Sequence, residues 1–112
     1  MDYIDRLRRF AVNDASLDPE RQLEPTSLDA RTTAVARLAA LVAVGGAEPT
    51  YGSLVDAAVS AGATTAEIVD VLTAVVPIVG LPGVVAAAPK LALALGHDPF
   101  DADDAFADGT RR

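Results

Sequence analysis

The sequence predicts an all-α fold, a small bundle of about five to six helices, and three observations lead there. Alanine supplies 23 of the 112 residues while aromatic residues make up only 4%, a composition of strong helix formers with few bulky core fillers. Apolar residues recur at spacings of three and four along most of the chain, the period of a one-sided helix. Glycine, proline and capping residues fall between those segments, where helices stop and start. A chain of 112 residues makes one domain around one core.

Composition also excludes function classes. The net charge is −7, and no Lys or Arg lies between Arg37 and Lys90. The middle of the chain therefore offers no phosphate-binding stripe, and no nucleic-acid partner is expected. Arg6, Arg8 and Arg9 read as the solvated face of a short helix. With no cysteine, disulfides, thiol catalysis and thiolate metal sites are ruled out. No secretory pattern of charged, apolar and small-residue regions opens the sequence, so a cytoplasmic protein is expected. Val71 to Pro89 carries no charge and has the length of a bilayer span. Pro77, Gly80, Pro82 and Gly83 interrupt it, and Asp70 and Lys90 bracket it. Two buried helices joined by a turn are expected there, and no membrane association.

Taken in order, Asp2 is placed to cap a first helix whose apolar face is Tyr3, Ile4, Leu7, Phe10 and Ala11, fading at Val12-Asn13-Asp14. Ala15 to Ser27, with Pro19 and Pro25, reads as a loop or wrapping arm with a short turn at Glu20 to Leu23. Asp29 caps a second helix that buries Val35, Leu38, Ala39, Leu41 and Val42 and stops at Gly45-Gly46. A third begins at Glu48-Pro49, with proline where its missing N–H costs nothing, and carries the stripe Tyr51, Leu54, Val55, Ala58 and Val59.

Gly62-Ala63-Thr64-Thr65-Ala66-Glu67-Ile68 closes that helix and opens the next. Gly62 suits a left-handed position past a helix end, and Thr64 with Glu67 forms a capping box. The fourth helix runs towards Val79, apolar over most of its circumference, with Pro77 expected to kink it or end it early. Leu81-Pro82-Gly83 starts the fifth, which reaches Gly96, with a kink or a break into two expected at Pro89. Five aspartates, at 98, 101, 103, 104 and 108, mark an acidic tail that lacks the spacing of a calcium loop. The domain thus divides into an N-terminal helix and arm at 1–27, a core at 28–95 and a tail at 97–112.

Leu28-Asp29-Ala30-Arg31-Thr32 before an Ala/Leu/Val-rich helix, the Gly62 to Ile68 junction, and Gly80-Leu81-Pro82 opening another helix together resemble the carboxymuconolactone decarboxylase family, which is similar to alkylhydroperoxidase D. The order and spacing carry the resemblance, over Leu28 to Leu95. It implies an alkylhydroperoxidase D-like helical fold and a homo-oligomer, a trimer or hexamer. The activities it implies are decarboxylation of a lactone acid or thiol-dependent peroxide reduction. The peroxidase branch uses a Cys-x-x-Cys pair followed by a histidine on the third helix. By count from Gly62 the histidine falls at about Leu54, the cysteines near Ala47 and Thr50, and the family's glutamate near Ala34 or Val35. None of these carries reactive chemistry here, so thiol peroxidase activity is excluded, and Leu54 removes the proton-transfer group expected in the decarboxylase branch.

The ligand-pocket candidates are Tyr51, Leu54, Glu48 and Arg37. Tyr51 lies one turn before Leu54, with a hydroxyl able to donate to a carboxylate or carbonyl; as a core residue it would keep that hydroxyl at the rim. Glu48 reads as a pocket acid or a helix cap. Arg37 offers a bidentate partner for a ligand carboxylate, or a surface or inter-subunit ion pair. His97, the single histidine, follows a helix-ending glycine and reads as a surface residue. No metal site and no cofactor is expected. The functional expectation is a family protein without the recognised catalytic residues, binding a small carboxylated or lactone ligand or serving as an oligomeric interaction module. The alternative is an active decarboxylase or lactone-processing enzyme that uses Tyr51 with Glu48 or Arg37 for proton transfer.

Overall fold

A computed structural model describes residues 3–15 and 27–98. Over these the chain forms five helices and no strand: α1 (Tyr3–Ala11), α2 (Ala30–Val44), α3 (Glu48–Ser60), α4 (Thr65–Val79) and α5 (Leu81–Ala94). Helices α2 to α5 pack on one another, and α1 packs against none of them. The expected cap at Asp2, the arm and turn at 16–26 and the tail beyond Asp98 lie outside the described residues.

Each boundary has a local cause. Asp29 accepts the N–H of Thr32 at 2.7 Å, satisfying an amide that the first turn of α2 leaves unpaired. Hydrogen bonding from the Thr32 backbone and side chain, with Arg31 nearby, holds its carboxyl below the usual carboxylate range. Gly45 ends α2 at φ +83°, a conformation that favours glycine. The Thr64–Glu67 capping box forms in both directions: Glu67 N–H donates to Thr64 Oγ1 at 3.1 Å, and Thr64 N–H donates to Glu67 Oε1 at 2.8 Å. Glu67 also pairs with Arg31, tying the start of α4 to the start of α2.

The uncharged stretch Val71 to Pro89 is two helices turning at Gly80, with φ +89°. No helix among the described residues is long and apolar enough to cross a membrane. Pro77 does not end α4 early, and Pro89 does not divide α5; both helices run through their prolines. Each proline lies in or near the second half of its helix, where the rest of the helix and its packing outweigh one missing hydrogen bond.

Leu38, Tyr51, Ile68 and Leu91, one from each of α2 to α5, are the largest fully buried side chains. Ala34, Leu41, Val42, Val55, Ala58 and Val71 complete most of the core around them. Lys90 of α5 donates to the carbonyl of Gly46 at 2.7 Å, which fastens the α2–α3 turn to α5. The α3 stripe is narrower than its spacing suggests. Tyr51, Val55 and Ala58 are buried, but Val59 is 54% exposed, on the far edge of the helix.

Candidate functional site

Two helix faces made mostly of alanine leave a gap where they meet. On α2 the face is Ala30, Thr33, Ala34 and Arg37, at positions i, i+3, i+4 and i+7; on α3 it is Leu54 and Ala57, with Ala61 at the helix's C-terminal cap, at i, i+3 and i+7. Such spacings put each set on one side of its helix. Alanine has no atom beyond Cβ to fill the space between two backbones. The result is a groove of about 320 Å³, which Leu28 also lines.

Its chemistry is simple. The walls are apolar except for Thr33 and Arg37. Thr33 is the buried polar residue of the core region. Arg37 is exposed and is the one charged residue lining the groove. Arg31, six residues earlier on α2, is paired with Glu67, whereas Arg37 has no ion-pair partner among the described residues. A guanidinium at the edge of an apolar cleft suits a ligand with an apolar body and a carboxylate. No acid, histidine or cysteine lines the groove, so it holds no general base and no strong nucleophile. Among the described residues no three His, Asp or Glu side chains converge to hold a metal.

The four sequence candidates separate. Arg37 and Leu54 come together on the groove, while Tyr51 and Glu48 do not line it. Tyr51 is 1% exposed in the core, and burial raises its phenol pKa. Glu48 is exposed in the first turn of α3. It is not the cap: Ala47 holds that position and makes no side-chain bond. The carboxylate at Glu48 complements the helix dipole instead. His97 is exposed beyond α5. Sequence reasoning missed Ala30, Thr33, Ala57 and Ala61. The signal was there in the alanine pairs at i, i+4 on neighbouring helices, which read as generic helix formers until the two faces were set against each other.

A family model, that of the carboxymuconolactone decarboxylase family, matches residues 5–93. The chain belongs to the carboxymuconolactone decarboxylase family. The match takes in most of α1 as well as the four-helix body. No curated protein and no solved structure matches the chain. Leu54 and Ala34 face each other among the groove-lining residues.

Proposed function

We propose that this carboxymuconolactone decarboxylase family member binds a small apolar carboxylate in the α2–α3 groove and does so without the family's recognised catalytic groups. The observation that carries the reading is the groove itself, lined by the unreactive Leu54 and Ala34 with Arg37 as its one charged residue; the resemblance, which puts the family's histidine at about Leu54 and its glutamate near Ala34 or Val35, supports it. Replacing proton-transfer groups with apolar ones removes chemistry and leaves volume. About 320 Å³ is at the lower end of small-molecule sites, enough for a lactone acid, a muconate-like diacid or a small aromatic acid.

The active-enzyme alternative draws less support. It needs Tyr51 with Glu48 or Arg37 on one cavity, and of these Arg37 alone lines the groove.

A thermal-shift series against lactones, muconate-like diacids and small aromatic acids tests the reading. A ligand that binds only the folded state raises the melting temperature by mass action. The expected result is a concentration-dependent rise for carboxylated members that disappears in Leu54→Trp, which fills the groove. No shift across the series would contradict it.

A further inference from the structure

We infer that α1 docks on the outward face of α5 of a second copy of this chain, so that copies exchange their N-terminal helices. This inference is independent of the groove.

Two apolar surfaces, unpartnered among the described residues, carry it. The first is α1. Its nine residues place Tyr3, Ile4, Leu7 and Phe10 on one side and Asp5, Arg6, Arg8 and Arg9 on the other. No residue of α1 is buried, and it packs against no other described helix of its own chain. Tyr3 is 80% exposed and Leu7 66%. A helix this short does not hold in water on its own propensity; below about 12–15 residues, packing of the apolar side is what stabilises it.

The second surface is α5. Val84, Ala87 and Leu91 face the core. The opposite side carries Pro82, Val85, Ala86, Pro89 and Leu93, at spacings of three and four. That strip holds no charge from end to end. α5 has no acidic residue, and its one cation, Lys90, is turned to the carbonyl of Gly46. Val85 and Leu93 are about half exposed or more. A solvated helix face ordinarily carries charge; an apolar one is a surface to be covered.

Charge selects the second copy over a lipid surface. α1 has three arginines against one aspartate. Residues 27–98 hold six acids against three Lys and Arg, and the whole chain carries −7. The body of another copy therefore attracts α1, whereas an anionic membrane would repel the rest of the molecule.

The absence of cysteine makes the test clean. Full-length Leu7→Cys, carrying a size tag, is mixed with untagged full-length Val85→Cys and oxidised. Both positions are exposed, so both variants fold. The expected product is a tagged–untagged disulfide dimer at several-fold higher yield than from control mixtures with Ser53→Cys on α3. Leu7→Glu combined with Phe10→Glu should lower the sedimenting mass of the otherwise native, folded chain. The inference is overturned if the two-copy crosslink does not exceed the control. It is equally overturned if the double variant Leu7→Cys/Val85→Cys crosslinks only within one chain, or if wild type sediments as a monomer. Co-sedimentation of wild type with phosphatidylglycerol vesicles, lost in the Leu7→Glu/Phe10→Glu variant and without crosslinking between copies, would reassign α1 to membranes and also overturn it.

Discussion

Ala34 of α2 and Leu54 of α3 line the same groove from opposite helices, and neither can move a proton. Leu54→Ala should enlarge the groove and shift its preference towards bulkier acids. Leu54 is only partly buried, so the stability cost should lie at or below about 2 kcal/mol, the low end for leucine truncation. Titration of acids of graded size, alongside urea denaturation, reads both effects.

The Thr64–Glu67 box should contribute as N-caps do. Thr64→Ala removes the acceptor for Glu67 N–H and should cost about 1 kcal/mol, a drop of about 4–8 °C in melting temperature for a domain near this size. Glu67→Gln keeps an acceptor for Thr64 N–H but loses the ion pair with Arg31. That exposed pair should contribute no more than about 1 kcal/mol, so the glutamine variant should melt above or level with the alanine one in low salt. The reverse order would place the value of Glu67 in the pair rather than in the cap.

The core should be intolerant at its centre. Leu38 is fully buried between the other helices, and Leu38→Ala should cost about 2–5 kcal/mol by lost burial and a residual cavity. Val59→Ala, on the exposed edge of α3, should stay within about 0.5 kcal/mol. Denaturant midpoints at constant slope give the comparison directly.

Stability should fall at both ends of the pH range for identifiable reasons. The Asp29 carboxyl is held below its ordinary value, so its contribution is present above the unfolded pKa near 3.8 and is lost as pH falls towards the folded value. The Tyr51 phenol is held above 10.0 by burial. Its contribution is intact below that pH and is lost as pH rises towards the folded value, because only the unfolded chain releases the proton. Asp29→Ala should flatten the acid limb of a stability–pH curve, and Tyr51→Phe the alkaline limb. Unchanged limbs would place the titrations elsewhere.

Much of the fold was legible because its boundaries are set by local chemistry. Asp29, Gly45, Pro49, Gly62, Thr64 and Gly80 each do what their residue type does at a helix end, whatever the rest of the chain does. The faces of single helices were legible too, since period alone turned Leu38, Val55 and Ile68 inward. The groove was not. It is a property of two helices at once, and Ala34, Ala57 and Ala61 acquire meaning only when their faces meet. The choice between pocket and core for Tyr51 was open for the same reason: it sits one turn from Leu54 in sequence, and the packing of α3 turns it into the core while Leu54 lines the groove. The course of α4 and α5 through Pro77 and Pro89 likewise depends on packing that no local rule contains.

In the function proposed above, Arg37 and an apolar cleft together select a carboxylate. Isothermal titration with benzoate and with its neutral amide, on wild type and Arg37→Met, addresses it most directly. Wild type should bind the acid more tightly than the amide. Arg37→Met should weaken the acid by about 10- to 100-fold, the range for a charge-assisted hydrogen bond, and leave the amide nearly unchanged. Equal binding of acid and amide by wild type, or an acid affinity indifferent to Arg37→Met, would contradict it.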